Sequence, residues 1–316
     1  MDEERKVMLL KKRKRKIIFC IILTTVLFLP LILQLLHNLS VISFSPTEFI
    51  KSAGFSSVDV KSEFVSFHDV GQGDCTVIKS GNRTAVIDFG KRDDADFLYR
   101  DLKKMGIGRI DLAIVTHCHE DHLGGIKRLC ESMPIDVAVI SKETAQDYDE
   151  DYYNEAVSAL KSVNCEILNP EAGTVFSLGD AEIEIIFANY PAKNENDRST
   201  ILKIKIGGKT VLITGDCSQD EEKEILKSNI DIKANILKVG HHGSNSSCSD
   251  EFLKAVEPQV AVISCGYDNI YSHPSDELLE RLKNHKINIY RTDLDGDVNI
   301  TFKGKKFYVG VERKAA

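Results

Sequence analysis

Ten consecutive residues, Thr116-His117-Cys118-His119-Glu120-Asp121-His122-Leu123-Gly124-Gly125, restrict the fold more than any other part of this chain. They follow a strand-like run, Asp111 to Val115 (DLAIV), and precede a segment with helical spacing, Leu123 to Met133. The loop therefore lies at the C-terminal end of a buried strand, and the two glycines let the backbone turn into the helix. His117, His119, Asp121 and His122 bring three imidazoles and a carboxylate into one loop, a donor set that suits zinc, manganese or iron. Four such groups within six residues can face two adjacent metal positions. Histidine occurs nine times in 316 residues, so three of them in one strand-to-helix loop point to a metal site rather than a solvated turn.

Other candidate ligands stand where further strand-like runs end. Asp216 follows Thr210-Val-Leu-Ile-Thr-Gly, His241 and His242 follow Ile236 to Val239 in KVGHHGSNSS, and His273 follows Val260 to Ser264 in YSHP. Alone, Asp216 would be a turn or helix-capping residue. Beside the histidine loop, a carboxylate just past a buried strand can bridge two cations. Six of the nine histidines thus fall at three strand ends, and His37, His68 and His285 are read as structural.

Around these loops the chain alternates short β-branched runs with helical periodicity. Strands are expected at Glu63–Val70, Cys75–Ile78, Thr84–Asp88, Val137–Ile140, Glu182–Phe187, Thr200–Ile206, Thr210–Ile213 and Ile287–Tyr290. Helices are expected at Asp94–Met105, Gln219–Leu226, Glu251–Val256 and Asp276–Lys283. Two halves of this style predict an α/β fold of two mixed sheets packed face to face with helices outside.

The N-terminus reads differently. Residues 1–16 hold eight basic and three acidic side chains, and Ile17 to Leu36 are twenty residues without a charge. At 1.5 Å per residue such a helix spans about 30 Å, the hydrocarbon thickness of a bilayer. The expected organisation is a basic cytoplasmic flank (1–16), an uncleaved transmembrane signal anchor (17–36), a linker (37–62) and one domain (63–312). The charge bias places that domain outside the cytoplasm. Beyond the flank, 33 basic face 45 acidic side chains, a balance of −12 that argues against a broad nucleic-acid-binding surface. Eight cysteines are scattered without paired spacings, and no disulfide framework is legible.

The motifs DVGQGD (Asp69 to Asp74), IDFG (Ile87 to Gly90), THCHEDHLGG, TGD (Thr214 to Asp216), LKVGHHGS (Leu237 to Ser244), YSHP and YRTD (Tyr290 to Asp293) occur in that order. As a set they resemble the metallo-β-lactamase superfamily, in particular its ComEC-like branch, the C-terminal domain of a DNA-internalisation competence protein and its stand-alone relatives. The resemblance implies a four-layer αββα sandwich with two divalent metal ions, zinc or manganese, at the edge between the sheets. It assigns His117 and His119 to one metal, Asp121, His122 and His273 to the other, and Asp216 to the bridge. No histidine lies between His122 and His241. The first metal therefore lacks a ligand that many superfamily members supply, and the matching stretch is Asn194 to Ser199, which implies a weaker first site.

The chemistry expected of such a site is hydrolysis by a metal-activated water. His242 or its neighbour His241, if it is not itself a ligand, is read as proton donor to the leaving group, with Asp121 at the reacting centre. Asp74 and Asp88 are read as acceptors orienting the ligand histidines. The leading function is a membrane-anchored phosphodiesterase or nuclease whose partner is DNA or another phosphodiester. The alternatives are a hydrolase of a small acyl or phosphoester substrate and a non-catalytic metal- or DNA-binding module. A true β-lactamase is disfavoured, since that branch uses the missing histidine.

Overall fold

The computed structural model describes residues 63–313. The basic flank, the apolar segment 17–36 and the linker lie outside the described residues. Among the described residues no helix is long and apolar enough to cross a membrane.

The chain begins with a meander of β1 (Phe64–Phe67), β2 (Thr76–Ser80) and β3 (Arg83–Ile87). β2 and β3 are joined by the two-residue turn Gly81-Asn82, which pairs Ser80 with Arg83. Helix α1 (Ala95–Lys104) then crosses to β4 (Ile110–Ile114), and β5 (Ile135–Val139) and β6 (Glu166–Leu168) continue the sheet in parallel. Between β4 and β5 lie two short helices, α2 (Glu120–Leu123) and α3 (Ile126–Cys130); α4 (Glu150–Ser162) connects β5 to β6.

The second sheet repeats the plan. β7 (Val175–Leu178), β8 (Ala181–Phe187), β9 (Ile201–Ile206) and β10 (Lys209–Ile213) run antiparallel to one another. β11 (Ile236–Lys238), β12 (Val260–Ile263) and β13 (Asn288–Arg291) then extend the sheet in parallel. The crossovers are α5 (Gln219–Lys227), α6 (Asp250–Val256) and α7 (Asp276–Asn284). Ser218, Ser249 and Ser275 cap these three helices, each accepting a hydrogen bond from a first-turn backbone N–H. After the short α8 (Thr292–Asp295), β14 (Val298–Lys303) and β15 (Lys306–Val311) close the chain.

The strand orders are β15-β14-β1-β2-β3-β4-β5-β6 and β13-β12-β11-β10-β9-β8-β7. The two-halves reading needs one correction: β14 pairs with β1, so the C-terminus returns to the first sheet. Val65, Phe67, Ile78 and Ile87 of the first sheet meet Ile183, Leu202, Ile204 and Ile213 of the second in the central core. The outer face of the first sheet is covered by α1, α3 and α4 through Leu98, Leu102, Ile126, Leu129 and Leu160. Ile225, Phe252, Leu253, Leu278 and Leu282 of α5, α6 and α7 cover the second. The layers are helix, sheet, sheet, helix, as expected. The seven cysteines of the described residues are free and buried; they fill core positions as small apolar side chains.

The helix expected over Leu123–Met133 is broken at Gly124-Gly125 into α2 and α3. A Cβ on Gly125 would stand 2.2 Å from the Phe89 carbonyl oxygen, and one on Gly124 would stand 2.6 Å from the Arg92 nitrogen. The glycines are there because the loop after β3 presses on this turn.

Candidate metal centre

Parallel strands discharge their C-terminal ends on one edge of the sandwich, and the polar motifs sit there. β3 delivers Asp88, β4 delivers Thr116 to His122, β10 delivers Asp216 and β11 delivers His241 and His242. Thr200 N donates to the Thr116 carbonyl at 2.8 Å and so joins the two sheets at this edge. All ten residues singled out from the sequence meet here. Asp216 is central: its Oδ1 lies 3.3 Å from His122 Nε2, and its Oδ2 lies 3.9 Å from His117 Nε2 and 3.4 Å from His242 Nε2. Asp121 reaches the same place, with Oδ2 3.2 Å from His242 Nε2 and Oδ1 3.9 Å from His122 Nε2.

The hydrogen bonds behind the rings decide which nitrogen faces the cluster. Asp88 accepts from Thr116 N, from Thr116 Oγ1 and from His122 Nδ1, at 2.8, 2.8 and 2.9 Å. Since the Thr116 hydroxyl proton goes to Asp88, Oγ1 is left to accept from His117 Nδ1 at 3.3 Å. His242 Nδ1 lies 3.1 Å from the Ser264 carbonyl, which can only accept. In all three rings Nδ1 is therefore the donor to the groups behind, and Nε2 is the nitrogen turned toward the carboxylates, where it can hold a proton or a cation. His119 is reversed: its Nε2 donates to the Asp147 carbonyl at 3.1 Å, which leaves Nδ1 facing His117 Nε2 at 3.1 Å. Two nitrogens that close, with no proton to share between them, fit two sides of one cation.

Further atoms pass the same test, His273 Nδ1 and Asp74 Oδ1 among them. His122 Nε2, His242 Nε2 and Asp216 Oδ1 are buried without a hydrogen-bond partner, a costly state for polar atoms unless something else satisfies them. Among the three-residue sets whose ligand atoms are close enough for a shared ion are His117, His122 and Asp216, and Asp121, His122 and His242. The residues present fit a pair of divalent cations bound by nitrogen and oxygen.

Electrostatics in the metal-free protein point the same way. Burial works against charge on His242, but the carboxylates of Asp216, Asp121 and Asp74 prevail and hold it at about 10. His122 behaves likewise, held well above the ordinary histidine value by Asp216 and Asp88 despite burial. Burial opposes ionisation of Asp216, yet the cationic His242 and His122 keep its carboxyl well below the usual range. His117 is pushed well down by burial and by the like charge of His122. The cluster thus uses protons where cations would sit.

The open cleft over this cluster has a volume of ≈ 270 Å³, with Gln72, Lys91, Asn196, His241, Tyr271 and His273 among its walls. His241 Nε2 is 4.0 Å from Asp216 Oδ2, and the His241 ring centroid is 5.6 Å from that of His273. His273 belongs to neither three-residue set; burial and its histidine neighbours push it down to about 4. His242, read from sequence as a proton donor if not a ligand, has its Nε2 among the candidate ligand atoms. Asn196 takes the place of the missing histidine at the cleft wall, its Nδ2 3.4 Å from His241 Nε2. Its neighbour Glu195 is buried and accepts from Cys118 N at 2.9 Å and Ala145 N at 2.6 Å, bracing the histidine loop. Sequence reasoning missed Glu195, Thr116 and the buried Lys238. A lysine inside an apolar strand was the one visible signal among them.

Residues 68–267 match the metallo-beta-lactamase superfamily. The chain belongs to that superfamily. Within it, the chain is similar to ComE operon protein 3 of Bacillus subtilis (strain 168), 30% identical over 205 residues that cover 65% of this chain and 26% of that protein. It is also similar to competence protein ComA of Neisseria gonorrhoeae, 30% identical over 240 residues, 73% of this chain and 31% of that protein. The chain therefore spans between a quarter and a third of the length of these relatives. Among solved structures, CmlA, a diiron β-hydroxylase from Streptomyces venezuelae, matches with a TM-score of 0.52 at 15% identity, covering 77% of this chain and 54% of that one. This likeness is one of fold alone.

Proposed function

We propose that this superfamily member is a metal-dependent hydrolase of phosphodiesters, with a nucleic acid as the leading substrate. The observation that carries the reading is the convergence of His117, His119, Asp121, His122, Asp216 and His242 on one open cleft, with one ring nitrogen of each histidine turned inward and buried atoms unsatisfied. In this reading His117 and His119 would hold the first cation, Asp121, His122 and His242 would hold the second, and Asp216 would serve both. Bound there, two zinc or manganese ions would supply Lewis acidity toward a phosphoryl oxygen and a nucleophile at neutral pH.

The chain's own groups do the rest. His241 stands partly exposed at the cleft wall, where, once protonated, its ring can give a proton to the leaving oxygen. Lys91 offers the cleft a cationic donor for a non-bridging phosphate oxygen. His273, on the far side of His241, is placed to orient that ring or to join the second cation when the cleft is filled. Relatives named for competence support a DNA substrate. The −12 balance outside the basic flank and the modest cleft favour a second reading, a small phosphoester or acyl substrate.

The chain reconstituted with zinc or manganese is expected to cleave single- or double-stranded DNA and a generic phosphodiester, and Asp216→Ala to cleave none of them. Turnover of a generic ester with no DNA cleavage selects the second reading. Wild-type rates in Asp216→Ala contradict both. We further propose that the segment 17–36 anchors the domain to the membrane.

A further inference from the structure

Strand β11 carries a lysine where a sheet interior asks for an apolar side chain. Lys238 is fully buried, its Nζ 2.6 Å from Asp74 Oδ2 and donating to the Val239 carbonyl at 2.9 Å. Asp74 is buried too, and its other oxygen faces His242 Nδ1 at 3.3 Å. His242 Nδ1 donates to the Ser264 carbonyl, so Asp74 Oδ1, itself without a hydrogen-bond partner, stands beside the ring as a buried charge, and Nε2 on the ring's other side is likewise without a partner. Asp74 also grips the opposite wall: its backbone N donates to the Asp121 carbonyl at 3.1 Å. Gly73 permits that approach, since a Cβ there would lie 2.7 Å from the Asp121 oxygen. Asp74 comes from the first sheet and Lys238 from the second, so their ion pair clasps the sheets directly behind the cluster.

We infer that Lys238 is a positioning residue of the metal centre, acting through Asp74 to hold His242 with Nε2 toward the second cation and Asp121 beside it. A buried carboxylate without its cation would be left free to turn away from His242 or to draw the ring toward itself. The ion pair prevents both and leaves Asp74 a fixed negative charge beside His242 Nδ1. This inference rests on the reading of His242 as a ligand, and it gives a physical reason why Asp74 ends DVGQGD and Lys238 opens KVGHHGS in one chain.

The test uses the full-length chain loaded with Co(II), read by its visible absorption and by chelator competition for each cation. Lys238→Met is expected to weaken the second cation about 10- to 100-fold and to change the ligand-field bands, with the first cation held within a few-fold. Adding Asp74→Asn to Lys238→Met removes the unpaired charge and keeps an oxygen toward His242, so affinity should return to within a few-fold of wild type. If Lys238→Met alone does not fold, the double variant carries the test by the same criterion. Wild-type affinity and spectrum in Lys238→Met, or a folded double variant that binds as poorly as the single one, would overturn the inference. His242→Ala, measured alongside, is expected to lose the second cation; if it keeps both, it is the ligand reading that has failed.

Discussion

Each imidazole at this site is defined by what stands behind it. Asp88 takes three donors at once, Thr116 N, Thr116 Oγ1 and His122 Nδ1, and so sets the proton positions of both His117 and His122. Asp88→Asn would turn an amide N–H toward one of those donors, and cation affinity is expected to fall about 10- to 100-fold by isothermal titration. The metal-free protein has a matching pH signature. His242 is raised from 6.5 to about 10 in the folded state, so its contribution to stability is complete below pH 6.5 and is lost as pH rises through about 10. Asp216 is depressed, and its contribution disappears instead in acid, as pH falls through its folded-state value. The thermal midpoint of the metal-free chain should therefore fall between pH 6.5 and 10, and cation binding near neutrality should release protons, seen as a buffer-dependent enthalpy. A midpoint that rises over that range would contradict the assignment. The ligand residue types were legible in the sequence because histidines crowd the strand ends. Lys238 and Glu195 were not, since their partners Asp74 and the backbone of Cys118 and Ala145 are remote in sequence.

At the scale of elements, strands β8 to β12 and helices α5 to α7 follow the sequence pattern closely, because β-branched runs and serine caps are local signals. The elements that escaped it depend on distant partners. β14 finds its place only by pairing with β1, more than two hundred residues earlier. α2 and α3 are separate because Gly124-Gly125 packs under the β3 loop, a contact that no local periodicity reports. Gly125→Ala forces a Cβ to 2.2 Å from the Phe89 oxygen, and the turn must shift. We expect a loss of about 2–3 kcal/mol in urea unfolding, together with weaker cation binding, since Phe89 N is held by the His122 carbonyl at 2.7 Å. A variant as stable as wild type would mean that the loop yields without strain.

For the whole molecule, two sheets with the same mixed plan bring their parallel strand ends to one edge, and this is why candidate ligands from residues 117 to 242 can meet. The proposed anchor carries a prediction of topology: eight basic residues precede Ile17, and none follows until Lys51. Protease added to intact cells is expected to digest the domain, and complete protection until lysis would reverse the orientation. The central claim is that the converging histidines and aspartates hold two cations through a shared Asp216. Its most direct test is metal content per chain by mass spectrometry after reconstitution with zinc or manganese and gel filtration, for wild type and Asp216→Ala side by side. Two cations per wild-type chain, or one retained and one exchangeable, with a clear loss in Asp216→Ala, is the predicted result. Less than half a cation per wild-type chain, or equal content in both proteins, would contradict it.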